Sequence, residues 1–351
     1  MTQEISLKPI EIFCGTGGVG KTTLATSRAL FLAKQKKKVL LITIDPARRL
    51  KQVLGLEDKE IGALHKIDCA IFDEPNVEFS ALLMSPKTTL QRMAQKSENE
   101  RELDNPIVNI LTRPYGGMNE IMAIIEVQYQ LSLKEFDTII LDTPPGKHFI
   151  DFLQSSEKIK QFFDKSFVEI FKYMGKKFNR NEEGQKSGFL SLIVTSGIKK
   201  LLKYLEKVTG ADFVEDFIEA ISGLYLNRQS FLDALEFQEN LKKESYSNWF
   251  LVTSVEQFKH DEAKELQTEA NQFMHKDSYL LVNKSLSPFL EKWQPNDQNS
   301  ELIRLRQSMK DRENKIKQLS KTVGHKAEIF FPEVLGALPQ SHVKELAQHW
   351  K

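Results

Sequence analysis

The segment Gly15-Thr16-Gly17-Gly18-Val19-Gly20-Lys21-Thr22-Thr23 constrains this chain more than any other. Before it comes a short apolar run, Ile10 to Cys14. After it comes a helix-period stretch with Leu24, Ala25, Ala29, Leu32 and Ala33 on one side and Lys34, Lys36, Lys37 and Lys38 at its end, where cations suit the negative pole of a helix. Val39 to Ile44 is apolar except for Thr43 and stops at Asp45-Pro46. Strand, glycine loop, helix and strand make a βαβ unit, and strands apolar on both faces belong in a parallel sheet covered by helices.

The loop fits two templates. Gly15-x-Gly17-x-x-Gly20 matches a dinucleotide fingerprint, with Asp45 as its ribose-binding acid, and Gly15-x-x-x-x-Gly20-Lys21-Thr22 matches a phosphate-binding P-loop. The P-loop is the sharper match, because a dinucleotide site has no use for Lys21-Thr22. A P-loop needs glycines so that backbone N–H groups turn in around a phosphate, a lysine for the β/γ oxygens and a hydroxyl for Mg²⁺. Gly17, Gly18, Val19, Gly20, Lys21, Thr22 and Thr23 are therefore the candidate nucleotide-binding residues, with Lys21 also catalytic and Thr22 a Mg²⁺ ligand. A merely tight strand-to-helix turn is the competing reading.

A P-loop calls for a second acid at a strand end near the metal. Phe136-Asp-Thr-Ile-Ile-Leu-Asp142-Thr-Pro-Pro-Gly146 supplies Asp142, a Mg²⁺ partner through water, followed by a loop able to change path with the γ-phosphate. A carboxylate that only caps its strand is the alternative. Asp45, at the end of the second strand, is placed to orient or deprotonate the attacking water. Arg48 and Arg49 read as surface residues in preference to phosphate ligands.

Further strand candidates are Cys69 to Phe72, Thr138 to Leu141, Phe250 to Thr253, Tyr279 to Val282 and Ile329 to Phe331. Strands recurring between helical stretches predict an α/β fold, a doubly wound, mostly parallel sheet built from both ends of the chain. The core is expected over 1–158 and 247–351. Between them, 159–246 reads as an inserted α-helical subdomain with stripes at Phe163/Phe167/Phe171/Met174, Leu190/Val194/Ile198/Leu201/Leu205 and Phe213/Phe217/Ile221/Tyr225, interrupted by a loop at Asn179 to Ser187. Gln298 to Lys321 reads as an amphipathic surface helix.

Composition removes other classes. Lys+Arg 49 against Asp+Glu 48 predicts no nucleic-acid or anionic-membrane partner. Cys14 and Cys69 are the only cysteines and form no metal-ligand cluster, so no zinc is expected and buried thiols are the simpler reading. No apolar run approaches the ~18 residues of a membrane span, and the N-terminus lacks a signal-peptide pattern, so a cytoplasmic location is expected.

The loop resembles the deviant Walker A loop shared by the partition and septum-site ATPases, the nitrogenase iron protein and the arsenical-pump ATPases. Ile44-Asp45-Pro46-Ala47, Leu141 to His148, Leu251 to Glu256 and Leu281-Val-Asn283-Lys284 narrow the resemblance to the last family, over about residues 10 to 345. Asp-Pro-Ala-Arg-Arg-Leu, Asn105-Pro106 and Asn119-Glu120 look most like a bacterial branch. This family includes arsenite-pump ATPases and factors that deliver tail-anchored membrane proteins. The resemblance implies that Lys21 and Thr22 act on phosphate and Mg²⁺, Asp45 on water and Asp142 on the Mg²⁺ shell. It implies that Asn283 hydrogen-bonds adenine and Pro332 flanks the base. The family's signature lysine is replaced by Thr16, and its arsenite-binding and zinc-binding cysteines have no counterparts.

The function expected is Mg²⁺-dependent ATP hydrolysis that opens and closes a dimer while helices handle a hydrophobic polypeptide. The alternative is the soluble motor of an arsenite-type anion pump, which the missing thiols disfavour because arsenite needs soft ligands. A polymer-forming or nucleoid-partitioning ATPase is a third reading, disfavoured by the long helical insertion. Threonine at position 16 leads to the expectation of a heterodimer with a P-loop paralogue that keeps the lysine, the alternative being a slow homodimer in which Arg48, Arg49 or Lys147 substitutes for it.

Overall fold

The structure, a computed structural model, describes residues 4–44, 48–56, 61–96, 105–112, 118–162, 206–295, 299–320, 324–336 and 338–350. They divide into two compact units. The first comprises Met1–Met84, Glu126–Gln154 and Glu236–Lys351, the second Ser85–Ile125 and Ser155–Leu235.

The first unit carries an eight-stranded sheet. Its strands are β1 (Ile10–Gly15), β2 (Val39–Thr43), β3 (Leu64–Asp68), β4 (Glu78–Leu83), β5 (Thr138–Asp142), β6 (Ser247–Ser254), β7 (Tyr279–Ser285) and β8 (Ala327–Pro332), in the order β3-β4-β2-β5-β1-β6-β7-β8. Every neighbouring pair is parallel except β3 with β4. The four central strands, β2, β5, β1 and β6, are buried along their whole length, as the strands of a parallel sheet covered by helices on both faces are. β1 therefore ends between the ends of β5 and β6, and the chain leaves it into α1 (Lys21–Lys34).

Two groups hold α1 and β1 in place. Arg28 on α1 and Glu11 on β1, both fully buried, form a two-pronged ion pair with both N–O distances at 2.8 Å. An aromatic cluster packs beside it: Phe13 to Phe250 at 4.7 Å, Phe331 to Trp350 at 4.8 Å, and the Trp350 indole N–H on Ser27 Oγ at 2.8 Å. Burying each of these rings contributes about 1.5–3 kcal/mol, which fixes the helix that follows the glycine loop.

Cys69 to Phe72, read as a strand, is a single 3₁₀ turn. Asp68 accepts the Ala70 N–H at 2.9 Å, and Asp73 takes a left-handed conformation (φ 57°) that ends the turn. Buried Cys69 and Phe72 lie three apart, the repeat that eclipses side chains in such a turn. The strands in this region are β3 and β4, paired antiparallel at the sheet edge.

In the second unit, Asn105 caps the Pro106–Leu111 helix, accepting the Ile107 N–H at 2.9 Å. Its amide donates to the Asp216 carbonyl at 2.9 Å, tying that helix to the Ala211–Leu226 helix. On the latter, Val214, Ile218, Ile221 and Leu224 are buried, while Phe213 is exposed and stacks on Phe217. The buried stripe is thus displaced from the expected Phe213/Phe217/Ile221/Tyr225 line. The stripes at Phe163 to Met174 and Leu190 to Leu205, and the loop at Asn179 to Ser187, lie outside the described residues. Among those described, no helix is long and apolar enough to cross a membrane.

Candidate functional site

The ends of β1, β5, β7 and β8 bring most of the sequence candidates to one edge of the sheet. The glycine loop leaves β1 at Gly15, whose φ is +151° and whose added Cβ would lie 2.2 Å from the Val252 carbonyl oxygen on β6. Only a glycine lets the two strands run that close. Gly18 and Gly20 are left-handed, with φ of +79° and +93°. The loop then feeds α1, where the Leu24 N–H bonds the Gly20 carbonyl at 3.0 Å. Lys21 is buried, and its Nζ reaches back across the loop to the Thr16 carbonyl at 2.9 Å.

Thr22 Oγ1 donates to Asp142 Oδ2 at 2.8 Å, and Thr43 Oγ1 stands 3.4 Å from the same oxygen. Asp142 reaches this point because β5 lies between β2 and β1, with Asp142 in register with both Phe13 and Thr43. An alcohol and a carboxylate held together at the mouth of a glycine loop are hard oxygen donors, the set that Mg²⁺ prefers. Thr22 and Asp142 fit that ion and are the residues that would hold it. Beyond β5, the Thr143 hydroxyl donates to the Phe13 carbonyl at 2.8 Å, and the Gly146 N–H to the Gly15 carbonyl at 3.1 Å. The segment after Asp142 is thereby tied to the strand that carries the loop.

From the other side, β7 reaches the loop directly. Asn283 Nδ2 donates to the Val19 carbonyl at 2.8 Å, and Lys284 Nζ to the Gly18 carbonyl at 3.1 Å. A Cβ on Gly20 would come within 2.3 Å of Asn283 Nδ2, so glycine is also what admits this amide. Pro332 is in register with Ser285, and the Glu333 N–H bonds the Ser285 carbonyl at 2.8 Å, which sets Pro332 beside the β7 turn. Asp45 lies outside the described residues, as do the side chains of Arg48 and Arg49. The chain leading to Asp45 starts at this edge, where the Ile44 N–H bonds the Asp142 carbonyl at 3.1 Å.

A cavity of about 720 Å³ adjoins the loop, lined by Thr16, Gly17, Lys147 and the carboxylates Asp151, Glu262, Glu265 and Glu269 among others. Thr16 is buried, and its Oγ1 has no hydrogen-bond partner among the described residues. Cys14, beneath the loop, and Cys69 are both buried thiols, each pushed up to about 12 chiefly by loss of solvent. Both stay protonated at neutral pH. Reading the sequence missed Thr43, Thr143 and Lys284 as neighbours of the loop, since each is brought there only by strand order.

The comparisons with known proteins agree with this geometry. Curated relatives include ATPase GET3 of Malassezia globosa, 30% identical over 174 residues that make up 48% of this chain and 49% of that protein. Others are ATPase get3 of Schizosaccharomyces japonicus (34% over 158 residues; 44% and 45%) and of Schizosaccharomyces pombe (31% over 157 residues; 44% of each). In these matches the chain spans about half the length of the curated relatives. The profile of the family described as Anion-transporting ATPase, by contrast, runs over residues 9–337. That match takes in the glycine loop, the Asp142 strand end and the β7 turn alike, and with it the chain belongs to the anion-transporting ATPase family.

Proposed function

We propose that this protein binds ATP with Mg²⁺ and hydrolyses it, and that the cycle opens and closes a dimer. The observation that carries this reading is the Thr22–Asp142 contact beside a glycine loop bridged by Lys21. Bound Mg²⁺ supplies charge neutralisation at the β/γ-phosphates. Lys21 leaves the Thr16 carbonyl for phosphate oxygens, and the loop N–H groups orient the phosphate chain. Asp45 orients or deprotonates the attacking water, and Asn283 and Pro332 hold the base, with Asn283 Oδ1 as the acceptor for an amino group. Asp45→Asn is expected to keep nucleotide affinity within about threefold and to lose about 10²-fold or more in turnover. Binding of a fluorescent ATP analogue measured beside phosphate release tests this, and equal loss of both would remove Asp45 from the catalytic role.

The partner reading follows from Thr16. Thr16 is short and neutral, and in the cavity beside the loop Lys147 stands against four carboxylates, Asp151, Glu262, Glu265 and Glu269. A P-loop paralogue presenting a lysine there makes a heterodimer with a complete site. Turnover by the chain alone, by Thr16→Lys and by the chain mixed with such a paralogue tests it: fast turnover by the chain alone, with no gain in the other two, would sink the heterodimer.

The client reading, a hydrophobic or tail-anchored membrane polypeptide, is supported by the resemblance to targeting factors and by exposed apolar residues such as Phe213 in the second unit. The description of the family favours a second reading, the motor of an anion pump. Co-purification with mass spectrometry separates them, since a pump subunit and a membrane-protein cargo are different captures.

A further inference from the structure

We propose that Glu313, far from the phosphate loop in sequence and touching none of it, is a positioning residue that sets the loop's shape. The inference rests on the nucleotide-binding reading above and extends it to the helix Ser300–Ser320.

Glu313 lies in a run of charges, Lys310-Asp-Arg-Glu-Asn-Lys315, that reads as a solvated helix face, yet it is almost fully buried. Its carboxylate is surrounded by donors from the turn that follows β7. Oε2 accepts the Ser285 hydroxyl at 2.8 Å and the Ser287 N–H at 3.0 Å, and also the Ser287 hydroxyl, while Oε1 accepts the Leu286 N–H. Lys317, one turn along the helix, donates to the Ser287 hydroxyl at 3.1 Å. Arg306 on the same helix donates to the Leu290 carbonyl at 2.8 and 3.1 Å. A carboxylate buried against four donors is a costly arrangement to dissolve, because each donor would be left unsatisfied. The turn 285–287 is thus clamped.

What the clamp holds is the pair just before it. Lys284 has φ of +64°, a left-handed conformation uncommon for a residue that carries a side chain. This kink, followed at once by the clamped turn, sends Asn283 and Lys284 onto the loop, one to the Val19 carbonyl and the other to the Gly18 carbonyl. In a trans peptide the C=O of one residue and the N–H of the next point in opposite directions. Drawing the Gly18 and Val19 carbonyls toward β7 therefore turns the N–H groups of Val19 and Gly20 the other way. Those N–H groups are the ones a P-loop presents to phosphate. Glu313 fixes the turn, the turn fixes two side chains, and the side chains fix two peptide planes.

The experiment uses the full chain and two ligands, a fluorescent ATP analogue and, as its competitor, inorganic tripolyphosphate, which has no base or ribose. Glu313→Gln keeps the shape of the side chain and loses acceptor strength; Lys284→Met removes the contact to Gly18 at a half-buried position and leaves the clamp in place. Lys284→Met is expected to weaken the ATP analogue and tripolyphosphate by the same factor, about three- to tenfold, and Glu313→Gln to weaken tripolyphosphate by that factor and the ATP analogue at least as much, because Asn283 also holds the base, with circular dichroism unchanged in both. The double variant is expected to lose no more than the weaker-binding single variant, because both act on one pair of peptide planes. Loss of the ATP analogue with tripolyphosphate affinity unchanged, or losses that add in the double variant, would overturn the proposal. Wild-type protein that binds neither ligand would overturn the nucleotide reading itself, and this inference with it.

Discussion

Thr22 and Asp142 stand 120 residues apart in the chain, and their side-chain oxygens are 2.8 Å apart. The pairing arises because β5 inserts between β2 and β1, so that a strand end encoded far downstream meets the first residues of α1. Thr22→Ala and Asp142→Asn should each weaken Mg²⁺-dependent binding of an ATP analogue while leaving metal-free binding nearly unchanged. Lys21→Ala should weaken both by about 10–100-fold, as the loss of a charge-assisted hydrogen bond to phosphate predicts. Titrations with and without Mg²⁺ distinguish the two patterns.

Gly15→Ala should be the most destabilising change in the loop. Its Cβ would meet a backbone oxygen of β6 at 2.2 Å, which no side-chain rotation relieves. A cost of roughly 2–4 kcal/mol is expected from strain and overpacking together. Gly17→Ala, with nothing within 4 Å of its added Cβ, should melt close to wild type. Urea unfolding of the two variants makes the comparison.

Glu11→Ala should cost about 3–5 kcal/mol, because it strands the buried Arg28 guanidinium beneath α1. Combining Glu11→Leu with Arg28→Met should recover most of that loss. Recovery in the double variant separates the penalty of a lone buried charge from the value of the pair.

Stability should fall on acidification through a histidine cluster. His325 is held down to about 4, first by burial and then by the nearby His260, which burial also lowers. Ser278 Oγ lies 2.8 Å from His325 Nδ1. Unfolded histidine titrates near 6.5, so between about 6.5 and 4 the unfolded chain binds more protons. The folded state is thus fully favoured above that window and loses ground as pH drops through it. His325→Gln should flatten this part of the profile, as urea midpoints at pH 7.5 and 5 would show.

The chemistry-bearing loop and the central strands were legible because their signals are local. Gly15 to Thr23 carries its purpose in nine consecutive residues, and β2, β5, β6 and β7 announce themselves as unbroken apolar runs. The antiparallel β3–β4 edge was not, although β8 at the opposite edge was read as Ile329 to Phe331. β3 buries only Ile67 and exposes Leu64, Lys66 and Asp68, so it offers no clean alternation, and the neighbouring Cys69 to Phe72 imitated a strand with two buried residues of a 3₁₀ turn. Lys284 and Glu313 were illegible for a different reason. Each reads locally as an ordinary charged residue, and what each touches is decided by the order of β6, β7 and β8 and by the helix packed behind them.

The position of β1 also orders events in time. During synthesis the β5 edge of β1 can be filled once residue 142 exists, but its β6 edge waits for residues 247–254. Meanwhile the ribosome adds roughly a hundred residues, at about 5–20 residues per second. For several seconds the nascent chain therefore displays Ile12, Cys14 and their neighbours as an open, apolar strand edge, the kind of surface on which chains pair with the wrong partner. Slow translation through the 155–235 stretch would lengthen that exposure. A folding helper that acts on this protein should thus engage it before residue 254 emerges.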